Sequence, residues 1–280
     1  MTSAHSNPVA AEIDRRIQTG NLDVPMLPEV VHRVIQITSD PDSSAADLVR
    51  VIQGDQALAA RVMRIANSAA YSPSASIVSL QQAIARLGML VVRDIAVAAS
   101  LNARLFNAPG YEQAIQEIWQ HAVATALWAK EVARQSRRNV EAAFLCGLLH
   151  SVGRPIVIQE MLDVGRQQKL PLTQDIVMAI ADELNLEAAA LALEKWEMPS
   201  LVRNAIVHQE SWQDAGAAQD QAMIINAARA FACHTLWGSP DADALKEKEV
   251  LADLNLYPDE VDELLEKNDL VKSGMEAMQS

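Results

Sequence analysis

The sequence has few of the features that mark disulfide-rich, secreted or membrane proteins. Only two of its 280 residues are cysteine, Cys146 and Cys233, and neither belongs to a CxxC pair. A thiolate zinc site therefore has no support. The N-terminus lacks a positively charged start and a long apolar run, so we predict no signal peptide. No uncharged stretch approaches the roughly eighteen residues of a membrane span. We expect a cytoplasmic protein whose two cysteines are reduced and buried.

Positive charge is also scarce. The formal net charge is −13, and residues 241–280 alone carry −8 of it, with twelve Asp or Glu and four Lys. An acidic chain repels phosphate backbones, so we predict no nucleic-acid partner, although a local basic patch could still bind one. No Gly-rich phosphate loop or nucleophile elbow is present, and the sequence implies no cofactor.

Glycine is infrequent, with ten residues, whereas hydrophobic residues make up 50% of the chain. This composition favours helix, and the apolar residues recur at helical rather than alternating spacing. We therefore predict an all-α fold built as a multi-helix bundle. Ser44, Asp55 and Ser79 precede three of the predicted helices in the first half, and Gly88 is a suitable C-cap for the third.

The second half contains a longer series of predicted helices. Asn139 is the predicted cap of the helix that holds His150, and Gly153 with Pro155 is expected to close it. The acidic tail has an apolar stripe that needs a surface to cover it. The predicted ranges are 111–135, 139–153, 155–168, 174–183, 186–196, 199–212 and 219–237, followed by 242–254 and 259–267 in the tail. Five tryptophans fall on these helices and are expected in the core: Trp119, Trp128, Trp196, Trp212 and Trp237.

Histidines are the clearest candidates for chemistry. His121, His150 and His208 lie on separate predicted helices of the second half. Helices in a bundle can bring such side chains together to bind a metal. The alternative is that they are buried, hydrogen-bonded residues that pack the core.

Several motifs, in order, resemble a known family. FLCGLLHSVGR (144–154) is similar to the "GLLHDIG" motif of the HD phosphohydrolase superfamily, and His121 matches its upstream metal-binding histidine. Further stretches resemble one family related to this superfamily. They are LPEVVHRVIQI, DLVRVIQGDQALAARVMRIANSAAYS, SLQQAIARLGMLVVRDIAV and LEKWEMPSLVRNAIVHQ. The chain is identified on these motifs as a member of the HDOD family, the HD-related output domains.

This resemblance implies a helical N-terminal half packed on a degenerate HD-like half. The domains that we predict are a helical extension (1–24), the HDOD domain (25–235, with halves 25–108 and 109–235 joined near Asn107) and an acidic helical tail (236–280). HDOD proteins take part in bacterial signal transduction, often fused to receiver or cyclic-dinucleotide domains. No such domain fits in the remaining residues, so we expect a partner in trans.

The chain departs from the HD pattern where metal would bind. The matching positions are His121, His150, Ser151, Asn185, His208 and Gln209. Ser151 replaces the bridging aspartate, and a neutral hydroxyl cannot offset the charge of a divalent ion. The helix that should supply the last aspartate has Arg229 as its only charged residue within MIINAARAFAC. We therefore predict no metal, no catalytic residue and no enzymatic activity.

Three functions remain open at this point. The first is a non-catalytic signalling module that binds a protein partner through the N-terminal half, where Gln56, Arg61 and Arg64 lie off the apolar stripe of their helix. The second is a residual metal-dependent phosphohydrolase. The third is a sensor for a nucleotide-like ligand in the old HD cleft, which a cluster of arginines around His121 and His150 would favour. The sequence predicts neither a membrane nor a nucleic-acid partner.

Overall fold

The structure is a computed structural model, and it describes residues 7–68, 77–105 and 108–279. Helices dominate this described part, which contains no β-strand, so the predicted all-α fold is confirmed. In chain order the helices are α1 (Pro8–Gln18), α2 (Glu29–Ser39), α3 (Ala45–Gln53), α4 (Gln56–Ala66), α5 (Leu80–Leu87), α6 (Met89–Leu105), α7 (Glu112–Gln135), α8 (Val140–Leu149), α9 (Gly153–Gln168), α10 (Gln174–Glu183), α11 (Asn185–Lys195), α12 (Ser200–Val207), α13 (Gln219–Trp237), α14 (Ala242–Lys246), α15 (Glu249–Asp253), α16 (Pro258–Leu265) and α17 (Asn268–Gln279).

The chain separates into two compact units, and each unit combines two separate segments of the sequence, whereas each predicted domain is one continuous range. One unit comprises residues 1–26 and 105–261, and the other comprises residues 27–104 and 262–280. The first 26 residues therefore group with the second half of the chain, and the acidic tail is shared between the two units. The predicted joint at Asn107 lies outside the described residues.

In the smaller unit, short-range capping explains where the helices begin. The Ser44 side chain accepts a hydrogen bond from the backbone N–H of Asp47, whose carboxylate accepts one back from the Ser44 N–H. The side chains of Asp55 and Ser79 accept from the backbone N–H groups of Leu58 and Gln82 and so cap α4 and α5, without the return bond. Gly88 ends α5 with a φ of 84°, in the left-handed region that glycine tolerates. The caps predicted at Ser44, Ser79 and Gly88 are confirmed.

The larger unit is built around α7, which packs along α8 and α13. Trp128 lies fully buried on α7, where its ring stacks on Phe231 at 4.9 Å and its Nε1 donates to Thr235 Oγ1 at 2.8 Å. The α7–α8 contact is close at Gly147, since a Cβ there would lie 2.7 Å from the Cα of Ala126. A second close contact joins α9 to α11, where a Cβ on Gly153 would lie 2.0 Å from the carbonyl oxygen of Asn185.

Several predicted boundaries in the larger unit and the tail are wrong. α8 ends at Leu149, and Gly153 and Pro155 begin α9 instead of closing α8. Proline fits there because the first helical turn leaves its N–H groups without intrahelical partners. α12 ends at Val207, five residues before the predicted end, with His208 as its C-cap. The tail helix predicted over 242–254 is two short helices, and α17 was not predicted.

One stretch of the described chain, Ala142–Gln168, is long and apolar enough to cross a membrane by length and composition alone. Of its most apolar window, 83% is buried inside the structure. Core helices of globular proteins meet the same test, so this stretch is weak evidence for a membrane span.

Candidate functional site

His121 and His150, the two histidines that resemble those of the HD motif, lie side by side. His121 lies in the middle of α7, and His150 lies in the turn between α8 and α9. The close packing of these helices at Gly147 brings the two imidazole rings edge to face, with 5.1 Å between their centroids. Only 7% of His121 and 2% of His150 is exposed. The predicted meeting of these two histidines is therefore confirmed.

Both imidazoles are held neutral by their surroundings. Burial, followed by the charges of Arg229 and Arg154, lowers the pKa of His121 to about 4. Burial and the neighbouring His121 lower the pKa of His150 well below its usual value. The Nδ1 of His150 lies 2.7 Å from the carbonyl oxygen of Gly147. A carbonyl only accepts, so this nitrogen carries the proton of the neutral ring.

The residues at the other ligand positions hold the backbone of this turn. The amide Nδ2 of Asn185 and the amide Nε2 of Gln209 both donate to the carbonyl oxygen of His150, at 3.3 and 3.1 Å. The Oδ1 of Asn185 accepts from the backbone N–H of Arg154 at 3.1 Å. Ser151 is 2% exposed, and its Oγ has no hydrogen-bond partner within the described part of the chain.

His208 does not join the other two histidines. It lies at the C-terminus of α12, partly exposed, with its Nδ1 3.4 Å from the hydroxyl of Ser211. The neighbouring Gln209 is the residue of this pair that reaches the buried turn. The set of three imidazoles that the sequence allowed is therefore not assembled.

Arg229, on the helix for which the HD resemblance implies a last aspartate, lines both cavities beside the histidine pair. Its guanidinium donates to the carboxylate of Glu210, and its charge lowers the pKa of both buried histidines. Arg154 contributes a second positive charge and is paired with Asp182 at 2.7 Å. Sequence reasoning noted Arg229 but could not show that Arg154 lies beside it.

These residues do not fit the divalent metal that the HD superfamily implies. Such ions prefer anionic oxygen ligands together with imidazoles. The positions here supply two neutral imidazoles, a neutral hydroxyl and two amides, beside arginine side chains. Within the described residues, no group of three or more His, Cys, Asp or Glu side chains is arranged to hold a metal.

Two adjoining cavities flank the histidine pair. The larger has a volume of about 440 Å³, and the smaller, about 140 Å³, lies against His150, Ser151 and Gln209. They share Arg154, Glu210 and Arg229 in their walls. The larger cavity is also lined by His121, Asn226, Ala230, Cys233, Trp237, Ser239, Pro240 and Lys248.

Two residues of the larger cavity differ from the sequence-based prediction. Trp237, which we expected in the core, is 55% exposed and stacks on His121 with 5.5 Å between the ring centroids and 12° between the planes. Cys233 is only partly buried, and its Sγ lies 3.4 Å from the Nε2 of His121. Burial raises the pKa of this thiol, which therefore stays protonated at neutral pH. Cys146 is buried, as predicted.

The predicted partner surface lies on α4 in the smaller unit. Gln56 and Arg64 are exposed on this helix. Arg61 is partly buried, and its Nη2 donates to the carbonyl oxygen of Met278 at 2.6 Å. The C-terminal helix α17 of the same chain therefore engages Arg61. A role of these three residues in binding a partner stays a prediction.

Sequence comparison with known proteins identifies the family of this chain. The sequence profile of the HDOD domain matches residues 24–212, more than half of the chain. This chain belongs to the HDOD domain family. An uncharacterized protein of Treponema pallidum (strain Nichols) is 23% identical to it over 208 residues, which are 71% of this HDOD protein and 39% of that relative. The chain therefore spans well under half the length of this relative.

Solved structures share the fold at low sequence identity. A proposed metal-dependent phosphohydrolase from Shewanella amazonensis has a TM-score of 0.73 at 20% identity, covering 98% of this chain and 100% of that one. An HDOD domain protein of Geobacter sulfurreducens has a TM-score of 0.73 at 19% identity, with 96% and 97% covered. A proposed signal transduction protein of Marinobacter aquaeolei has a TM-score of 0.69 at 24% identity, with 99% and 68% covered. At these identities the likeness shows the fold alone.

Proposed function

We propose that this HDOD protein is a regulatory module of bacterial signal transduction that acts without hydrolysing a substrate. Membership of the HDOD family and the fold that it shares with a proposed signal transduction protein support the regulatory role. The observation that carries the proposal is that neutral and positively charged residues replace the negatively charged ones expected in the HD site. Ser151 stands where the bridging carboxylate would be, and Arg229 adds a cation beside it.

This replacement removes the template for two-metal hydrolysis. Such chemistry needs two divalent ions about 3.5–4 Å apart, held by carboxylates that offset their charge. The buried turn at His150 instead has its carbonyl oxygen bonded to the amides of Asn185 and Gln209. The site is therefore suited to holding α8, α9 and α12 together more than to binding cations.

Hydrolysis assays on the purified protein test this proposal. We expect no turnover of nucleotide or phosphate-ester substrates with Mg²⁺, Mn²⁺, Zn²⁺ or Fe²⁺ above that of a His150→Ala control. Ser151→Asp should not create activity, because Arg229 and the two amides remain. Metal-dependent turnover by the unmodified protein that His150→Ala abolishes would refute the proposal.

We further propose that the module acts on a signalling protein in trans through the exposed face of α4, and not on a nucleic acid or a membrane. The formal charge of −13 supports the exclusion of nucleic acid. Gln56 and Arg64 are the exposed polar residues of this face, and exposed arginines can anchor interfaces. A Gln56→Glu/Arg64→Glu variant should lose a partner that Arg50→Glu, a matched change on the exposed side of α3, retains. Equal capture by both variants would exclude this face.

A further inference from the structure

The cavity beside the histidine pair has a size typical of small-molecule sites. Its volume of about 440 Å³ lies within the range of roughly 300–1,000 Å³ that such sites occupy. The cavity lies within the larger unit, and its walls come from α7, α9 and α13, from Glu210 after α12, and from the segment between α13 and α15. The function proposed above, a regulatory module without hydrolysis, makes no use of it.

Positive charge predominates in the walls of this cavity. Arg154, Arg229 and Lys248 line it, and Glu210 is the one carboxylate among its described lining residues; Asp182, which pairs with Arg154, lines the adjoining smaller cavity. The three cations belong to α9, to α13 and to the residue before α15, so the fold brings them together from distant parts of the sequence. These cations favour an anionic ligand, although the whole chain has an excess of acidic residues.

Polar atoms without partners face the same region. The Oγ of Ser151, which lines the smaller adjoining cavity, is buried and has no hydrogen-bond partner among the described residues. The Nε of Arg229 is also buried without a partner, although another nitrogen of the same guanidinium is bonded to Glu210. Buried polar atoms are usually paired, so these two atoms indicate groups that a ligand or its waters would satisfy.

Trp237 provides a flat surface at the rim of the cavity. One face of its indole lies against His121, and 55% of the residue remains exposed. Large exposed tryptophans on a cavity wall are well suited to stack a planar ring. The wall thus combines cations for an anionic group with an aromatic surface for a ring.

We propose that this cavity binds a small phosphate-bearing ligand with a planar ring, a compound of the nucleotide class. The phosphate lies between Arg229, Arg154 and Lys248, and the ring stacks on the exposed face of Trp237. Arg229 exchanges its bond to Glu210 for one to the phosphate, because guanidinium groups bind phosphate and carboxylate oxygens in the same geometry. The inference extends the proposed function by naming the class of signal, and it does not depend on the absence of hydrolysis.

Calorimetric titration of the full chain tests the inference. The probes are the nucleoside monophosphates of the common bases, the matching nucleosides and inorganic phosphate, each up to millimolar concentration. At least one nucleotide should bind about tenfold or more tightly than both its nucleoside and phosphate. Arg229→Gln and Lys248→Gln should each weaken that binding by about tenfold, the order expected for a lost hydrogen bond to a charged group. Trp237→Leu should weaken binding of the nucleotide but not of phosphate.

A variant with the opposite expected sign separates ligand contact from loss of structure. Glu210→Gln frees Arg229 and removes the negative charge of the wall, so it should tighten nucleotide binding severalfold. Arg166→Gln is the matched control, because Arg166 is exposed, pairs with Asp163 and lines neither cavity. Lys248 is exposed, so Lys248→Gln should fold even if Arg229→Gln does not.

Three results would overturn the inference. They are no binding of any nucleotide, a nucleoside or phosphate that binds as tightly as the nucleotide, and binding that neither Lys248→Gln nor Glu210→Gln changes. Hydrolysis of a bound nucleotide would instead refute the proposed function and leave the ligand assignment intact.

Discussion

Protonation of the buried histidines should destabilise the protein in mildly acidic solution. The pKa of His121 is about 4 in the folded protein, against about 6.5 in an unfolded chain. The unfolded state therefore binds more protons between these two values, and the free energy of unfolding falls as the pH is lowered through this window. A pKa difference of about 2.5 units corresponds to about 3 kcal/mol, of which about 2 kcal/mol should be lost by about pH 5. Because domains are typically stable by roughly 5–15 kcal/mol, the loss is large enough to measure.

Urea denaturation at several pH values from about 7 to about 5 tests this prediction. Carboxylates with lowered pKa values, such as Glu12 and Asp47, have their effect mainly below this range. Glu160 has a raised pKa and acts in the opposite direction, so the difference between the protein and a variant is the quantity to compare. His121→Gln should reduce the pH dependence by about 2 kcal/mol over this range, whereas His32→Gln on α2 should retain it. Identical pH dependence in the protein and in His121→Gln would show that His121 is not held neutral by burial.

Two further predictions concern packing. Gly153→Ala should destabilise the protein by about 1–3 kcal/mol or more in urea denaturation, since the new methyl group would meet the backbone of Asn185. Gly54→Ala is the control, because the Cβ there would lie 3.3 Å from its nearest neighbour, and it should change stability by less than about 1 kcal/mol. Equal losses in the two variants would contradict the close contact of α9 and α11. The backbone amides of residues 241–280 should exchange hydrogen faster than those of α6, because the tail helices are short and highly charged. Equal protection would contradict this prediction.

The helix boundaries that the sequence predicted well depend on local interactions. Ser44, Asp55 and Ser79 each accept from the backbone N–H three residues ahead, so the signal lies within one turn of the chain. The side chain of Asn67, which ends α4, likewise bonds to the backbone of Met63 and of Ile77.

The boundaries that the sequence missed depend on contacts made after folding. α12 stops at Val207 because Gln209 turns inward to bond the carbonyl oxygen of His150, 59 residues earlier in the chain. The helical pattern of apolar residues gave no sign of this contact. α17 contains Gly274, which weakens helix propensity, and its buried residues pack in the smaller unit.

The candidate site was predictable in its residues but not in its charge. The motif around His150 and the position of His121 identified the pair. The presence of Arg154 beside Arg229 follows only from the packing of α9 and α13 around the cavity. Trp237 is the last residue of its helix, where periodicity cannot tell whether a side chain faces the core or the solvent.

Metal content is the most direct measure of the claim that the HD site has lost its chemistry. The protein, purified without chelator and without added metal, can be examined by elemental analysis alongside His150→Ala. Ser151, the amides of Asn185 and Gln209, and the cation of Arg229 predict far less than stoichiometric Mn, Fe, Zn or Ni, with no difference between the two proteins. A metal content close to one ion per chain, lost in His150→Ala together with hydrolytic activity, would contradict the account.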